Sequence, residues 1–448
     1  LAAGRFQAPP PFEALLHKLG TSRELLAVHL RLSEHARRIR GYPHWNDVRR
    51  RPVPEEGATH EQWWLALKMA RQSQELPLRD GHGRPFKFSQ PPELLEALHR
   101  IDMKAGGRVG APDAVINARM RDCYLITSLQ EEEAITSSQL EGAATTRDVA
   151  RNLIRSGRPP RDRGEQMILN SFQTMVWLQQ LQDTTLTPEL VLSLHRRITQ
   201  DTLDPGDAAG RLRRSDEDVV VGDPYGEIVH RPPPAEQLQQ RLTHLCAFAN
   251  GDTPTTFIHP VVRAIALHFW LAYDHPFLDG NGRTARALFY WAMLRHDYWL
   301  FSFISISTIL RQAPAQYARS FMATETDDND LTYFLLAQLK VIGQAMDRLE
   351  STIQRKKQEL ESFEQQMADP DLFNHRQLAL LIHGVKHPGF RYSIHSHKTS
   401  HKVSYQTART DLLTLVDHGL VERRKRGRQF LFQAPADLEK RLKQLRGQ

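Results

Sequence analysis

The chain has 448 residues, 40% of them hydrophobic and 25% charged, which suits a globular protein of about three domains. Two cysteines far apart, Cys123 and Cys246, exclude a disulfide-built scaffold. No stretch approaches the ~18 uninterrupted apolar residues of a membrane helix, and the first twenty residues lack the apolar centre of a signal peptide, so the expectation is a cytoplasmic protein without membrane contact.

Residues 1–110 alternate Pro-rich punctuation with helical patterns such as "EQWWLALKMARQ" and read as a helical region. Trp63 and Trp64 in that pattern are expected to pack rather than bind. Residues 111–164 form a helical segment whose main pattern, "NARMRDCYLITSLQEEEAITSSQLEG", closes at Gly142, a glycine placed to end a helix. Residues 165–334 are again mostly helical, with Thr187 as an N-cap and Pro188 in the first turn of "TPELVLSLHRRITQ". One interruption, "DEDVVVGDPYGEIVHRPPP", predicts a hairpin over roughly Asp218 to His230, projecting as a flap because it has no sheet to join. A long connecting helix over 335–368 ends in "ADPD". Residues 369–448 then read as helix, an irregular His-rich segment, helix and a basic hairpin. Within it, Leu412, Leu413, Leu415 and Val416 should face a core, while Tyr405, Gln406 and Arg409 stay exposed.

The charge is uneven. Residues 371–448 hold 15 Lys and Arg against 6 Asp and Glu, whereas residues 1–370 hold 44 against 46. Any electrostatic case for a polyanionic partner therefore belongs to the C-terminal tail.

Between the apolar runs "AIALHFWLAY" and "ALFYWAML" lies "HPFLDGNGRTAR", His275 to Arg286. Asp279 is a hard oxygen ligand suited to magnesium, which takes few carboxylates and leaves its other positions to phosphate and water. Gly280 and Gly282 let backbone N–H groups approach an anion, Asn281 adds side-chain donors, and a helix starting near Arg283 aims its N-terminus at the same loop. Arg283 and Arg286 share a helix face and can grip neighbouring phosphates. His275 is the residue here able to accept a proton near neutral pH. The parts describe a cradle for a metal-bound polyphosphate with a general base at its mouth.

Nine specified positions in one order, at about one in twenty each, do not arise by chance in a chain of this length. The segment resembles the signature H-P-F-x-D-G-N-G-R-x-x-R of the Fic family at every fixed position, and the resemblance extends over roughly Glu165 to Phe334. It implies a mainly α fold: a helical core with a β-hairpin flap, here joined to a C-terminal winged-helix (α/β) domain. It also implies transfer of AMP from ATP–Mg²⁺ to a Ser, Thr or Tyr hydroxyl of a target protein or of the chain itself. By resemblance His275 is the base, Asp279 the metal ligand, and Gly280, Asn281 and Gly282 the anion hole for the α- and β-phosphates. Arg283 then contacts the β-phosphate and Arg286 the γ-phosphate. The flap adds a target strand, with Val220, Val221 and Gly222 as docking candidates.

"ITSSQLEGAATT" resembles the family's inhibitory motif, with Ser137, Glu141 and Gly142 at its fixed positions. The implied device is a bidentate pair between Glu141 and Arg286 that excludes the γ-phosphate. "VSYQTARTDLLTLVDHGLVERRKRGRQFLF" resembles the third helix and wing of a winged helix-turn-helix domain. Its candidates for nucleic-acid contact are Tyr405, Gln406, Arg409, Arg423, Arg424, Arg426 and Arg428, with Lys425 between them. His395, His397 and His401 lack a cysteine companion and are not expected to hold zinc. The alternatives to protein adenylylation are a Fic enzyme that mainly removes AMP or uses another nucleotide, and a DNA-binding regulator that only senses nucleotide. Related proteins often form homodimers.

Overall fold

The computed structural model describes residues 6–19, 23–106, 125–204, 206–222, 228–365, 372–426 and 429–445. The architecture is mainly helical, with three small antiparallel sheets. Among the described residues no helix is long and apolar enough to cross a membrane.

Helices α1 (Phe12–Leu19), α2 (Arg23–Arg38), α3 (Trp45–Val48) and α4 (His60–Ala70) enclose a small cluster around Leu32, Val48, Trp63 and Trp64, so the tryptophan pair packs as expected. The helical reading of residues 1–110 missed a hairpin. Strands β1 (Ser73–Arg79) and β2 (Pro85–Ser89) pair across the turn that holds Gly81 and Gly83, with an irregular register between Glu75 and Arg79, on either side of Pro77. Leu76, Leu78, Phe86 and Phe88 point from it into the main core. Lys87 exchanges backbone hydrogen bonds with Asn329 and Leu331, which fixes the hairpin to the central helices. Helix α5 (Pro92–Ala105) follows.

The main core is built on α11 (Pro260–Asp274) and α12 (Asn281–Arg295), whose residues are almost all buried. Helices apolar on every face belong in the centre of a bundle. Around them pack α8 (Arg163–Leu178), α9 (Pro188–Thr199), α10 (Leu238–Asn250), α13 (Ile306–Gln312), α14 (Pro314–Thr326) and α15 (Thr332–Gln365). Thr187 caps α9 by accepting from the Leu190 N–H at 3.2 Å, with Pro188 in the first turn. Strands β3 (Val221–Gly222) and β4 (Ile228–His230) form the expected flap, paired only with each other.

Two helices link the flank of this core to the C-terminal unit: α6 (Leu125–Leu140) and α7 (Arg147–Ser156). The C-terminal unit has its own apolar cluster. Its elements are α16 (His375–Lys386), β5 (Arg391–Ser393), α17 (Ile394–His401), α18 (Tyr405–Asp417), β6 (Glu422–Arg426), β7 (Gln429–Gln433) and α19 (Leu438–Leu445). The His-rich segment is thus a helix, not irregular chain. A reciprocal Ser393–Ser396 cap starts it, a signal weaker than the Ser/Thr-to-Glu pattern. Strand β5 adds a third strand in the order β5-β7-β6. Leu412 and Leu415 are fully buried, and Leu413 and Val416 pack at the edge of the cluster.

Candidate functional site

The site is the connection between the two most buried helices. Helix α11 stops because His275 turns left-handed (φ 44°, ψ 55°) and Pro276 cannot continue the helix. Helix α12 starts at Gly280, also left-handed (φ 83°), where a Cβ would stand 2.5 Å from the Thr199 methyl group. Both the backbone angle and the close approach of α9 require glycine there.

The loop between is held from all sides. Asn281 accepts from the Phe277 N–H at 2.9 Å and donates to the Phe277 carbonyl at 2.8 Å. These two bonds tie the side chain to the loop, with one amide N–H used in them. Below the loop lies His195, which sequence reasoning passed over. It accepts from the Gly210 N–H through Nδ1 at 3.0 Å, so Nε2 carries the proton and donates to the Asp279 carbonyl at 2.9 Å. Its ring stacks on Phe277 at 3.7 Å, and burial lowers its pKa to about 4, which keeps it neutral. Arg213, also buried, donates from Nε to the His275 carbonyl at 3.0 Å and from its backbone N–H to the Pro276 carbonyl at 2.8 Å. Neither residue lies near the motif in sequence, so no local pattern announced it.

His275 itself is half-buried. Its Nδ1 lies 3.2 Å from the Ala272 carbonyl, an acceptor only, so Nδ1 bears the proton and Nε2 keeps its lone pair. Burial lowers its pKa, with smaller contributions of the same sign from His230 and Arg213. The imidazole is thus a neutral base at neutral pH.

Asp279 is half-exposed. One carboxylate oxygen accepts from the Gly280 N–H at 2.5 Å, and the other meets Arg163 of α8 at 3.1 Å. Exposed pairs of this kind contribute about 0–1 kcal/mol, so Arg163 does not withhold Asp279 from a cation. Among the described residues no group of three metal-ligating side chains forms.

Arg283 and Arg286 lie on the buried face of α12. Arg283 donates to the Ile198 carbonyl at 3.2 Å, while its Nε and Nη2 have no hydrogen-bond partner. Arg286 is engaged by Ser137 and Glu141. It donates from Nε to the Ser137 hydroxyl at 2.9 Å, and from Nη2 to the Ser137 carbonyl at 3.0 Å and the Glu141 carboxylate at 2.8 Å. The expected bidentate pair is corrected to one carboxylate contact plus two from Ser137. Glu141 Oε1 lies directly above Gly282, in the space that any side chain at 282 would need. Gly142 has φ 93° with open space around its α-carbon, so the turn geometry alone selects glycine. A cleft of about 520 Å³ beside Glu141, lined by residues 142–146 and the first turn of α8, leaves the carboxylate room to swing outward.

Helix α6 is anchored by acids that carried no assignment in the sequence. Glu133 accepts from the Ser305 and Ser307 hydroxyls and from the Ser307 N–H at 3.0 Å, at the buried N-terminus of α13. Glu131 pairs with Arg155, and Glu132 with Arg147 and Arg151, all on α7.

The other sequence candidates fall elsewhere. Val220 and Ile228 are exposed on the flap, and His230 anchors its base: it faces the Glu325 carboxylate at 2.8 Å and the Tyr273 carbonyl at 2.7 Å. Tyr405, Gln406, Arg409, Arg423 and Arg424 are exposed on the C-terminal unit, far in sequence from the loop, with Arg424 3.1 Å from Glu422. Arg428 and the side chain of Arg426 lie outside the described residues, as does Cys123. The rings of His397 and His401 lie 4.5 Å apart, with His397 also 3.2 Å from Asp411, a carboxylate held by Arg376 and Asn374, whereas His395 lies against Gly157.

Residues 185–293, which contain α9 through most of α12 with the whole loop, match the sequence model of the Fic/DOC family. Over this stretch the chain is similar to Fic domains. Protein adenylyltransferase Fic of Drosophila grimshawi is 35% identical over 118 residues, which is 26% of this chain and 22% of that protein. Its namesake in Aedes aegypti is 35% identical over 113 residues, 25% of this chain and 20% of that protein. The matched stretch therefore spans about a fifth of the curated relatives' own length. A Fic family protein from Desulfovibrio desulfuricans G20 superposes with a TM-score of 0.48 at 21% identity, over 77% of this chain and 96% of that one.

Proposed function

We propose that this chain is a protein adenylyltransferase that moves AMP from magnesium-bound ATP to a hydroxyl of a protein target or of itself, with Glu141 as an internal brake. The observation that carries the reading is the coincidence at Gly282: the loop suited to phosphates is capped by a carboxylate hydrogen-bonded to Arg286. A carboxylate there occupies the place a phosphate of the nucleotide would take, which closes the site. The Fic relatives bear the name protein adenylyltransferase, in keeping with the same chemistry.

In this reading the target hydroxyl attacks the α-phosphorus, the bond to pyrophosphate breaks, and the hydroxyl proton passes to His275 Nε2. The backbone of Gly280 to Gly282 at the start of α12 faces the α- and β-phosphates. Arg283 has two nitrogens without a hydrogen-bond partner for the β-phosphate, Nε and Nη2, the latter 3.8 Å from Asp279, and Arg286 becomes available to the γ-phosphate once Glu141 leaves. Asp279 fits a magnesium ion that arrives with the nucleotide, since one carboxylate suffices when phosphates supply the other ligands. That ion supplies charge neutralisation on the phosphates. The exposed flap strands extend toward a target backbone as partners for an added strand.

The C-terminal unit reads as a winged helix with α18 as its third helix and β6–β7 as its wing, and its exposed basic residues make duplex nucleic acid the partner it suits. The test of the central reading uses ATP labelled at either the α- or the γ-phosphate. Retention of the α label alone, lost in His275→Ala, is the expected result; retention of the γ label alone makes the enzyme a kinase and rejects the proposal.

A further inference from the structure

The brake is not an isolated helix. Its three consecutive acids divide their duties: Glu133 docks α6 on the catalytic core, whereas Glu131 and Glu132 face α7. Arg155 holds the buried carboxylate of Glu131 at 3.0 Å, and Arg147 holds Glu132 at 2.9 Å. A buried carboxylate stripped of its cation is strongly unfavourable, so α6 and α7 move together or not at all.

Helix α7 in turn packs against α17 of the C-terminal unit. At the end of α7, Gly157 turns left-handed (φ 64°), and the space where its Cβ would stand is closed by His395 Nε2 at 2.9 Å. Helix α7 thus covers the N-terminal end of α17. The same unit carries exposed Lys398, Lys402 and Arg409 on α17 and α18, and exposed Arg423 and Lys425 on one face of β6. Helix α17 thus carries α7 at one end and exposed Lys398 and Lys402 at the other, so α7 and a polyanion held by those cations would share one short helix.

We propose that the C-terminal unit is the input of the brake: duplex nucleic acid on its basic face displaces α7 from α17, and the Glu131–Arg155 link carries that displacement to Glu141 and frees Arg286. This inference rests on the adenylyltransferase reading and adds to it both the signal and the route. Exposed polar Tyr405 and Gln406 beside the cations favour a nucleic-acid duplex over an acidic protein, because they can reach groove edges as well as phosphates.

The test uses the full chain with α-labelled ATP and magnesium, with and without a mixed-sequence DNA duplex. Glu141→Gly serves as the reference for an open brake. The duplex is expected to raise self-labelling about five-fold or more, the lower end of ordinary coupling between sites. It should add nothing to Glu141→Gly and have no effect on Arg423→Glu/Lys425→Glu. Arg155→Ala should raise labelling without any duplex. Hydrogen exchange supplies a readout independent of activity: amides of α6 and α7 should exchange faster with duplex present and in Arg155→Ala, while those of α11 do not. Duplex binding that leaves labelling and α6 exchange unchanged overturns the inference, as does absence of binding or an equal response to polyglutamate. If Glu141→Gly itself fails to label, the adenylyltransferase reading has failed first and this inference falls with it.

Discussion

His275 combines a left-handed backbone, a proton fixed on Nδ1 by a carbonyl and a free Nε2. His275→Ala is therefore expected to lower transfer by about 10²–10⁴-fold, the usual range for a general base, with ATP affinity retained; single-turnover labelling beside nucleotide titration checks both halves. Because burial lowers its pKa, the acid limb of the rate profile should lie below pH 6.5, and a limb at or above that value contradicts the assignment. Gly280 is the residue that tolerates change least. Gly280→Ala meets Thr199 and keeps an unfavourable φ, so it should cost at least about 2 kcal/mol of stability, measured by denaturant unfolding. The nine motif positions were legible as a pattern because they fall within twelve consecutive residues. The two bonds of the Asn281 side chain to the Phe277 backbone were not legible, because burial rather than residue type sets them.

At the level of elements, the proposed brake is α6 with its terminal turn. Ser137 contributes two of the three contacts to Arg286, so Ser137→Ala should loosen the brake by removing the Nε partner while the carbonyl contact remains. Self-labelling is expected to rise above the parent but to stay below Glu141→Gly; equality with the parent would assign the restraint to Glu141 alone. The contact of Ser137 and Glu141 with Arg286 could be read from the sequence, since the two residues lie one helical turn apart. The anchors that hold α6 in place could not. Glu133 reaches Ser305 and Ser307 about 170 residues away, and His195 reaches Asp279 across 84, distances over which a single sequence carries no pairing signal. The same limit hid β1–β2 and β5. A Pro in β1 and a three-residue β5 weaken the alternation that identifies strands.

Across the whole molecule, buried histidines give stability a definite pH dependence. Burial lowers His44 and His195 to about 4 and His268 to about 3, against an unfolded value of 6.5. Between those values the unfolded chain binds more protons, so stability is full above pH 6.5 and declines as pH falls toward 4. Each of the three contributes up to about 1.4 kcal/mol per pH unit. His230, raised by Glu325, acts in the opposite sense and only partly offsets them. The melting temperature should therefore drop on acidification from pH 7 to pH 5; a rise would show that these rings are not buried neutral. The mainly helical plan, the flap and a separate basic C-terminal unit were legible from periodicity, turn residues and charge distribution. The contact of that unit with α7 was not, because it joins surfaces without a shared pattern. The central claim is that Glu141 and the nucleotide compete for one place above Gly282. The most direct measurement is the intact mass of Glu141→Gly after incubation with ATP and magnesium. One adenylyl increment or more, absent from Glu141→Gly/His275→Ala, is the predicted result; an unchanged mass, a phosphoryl increment or an adenylyl increment that survives loss of His275 would contradict it.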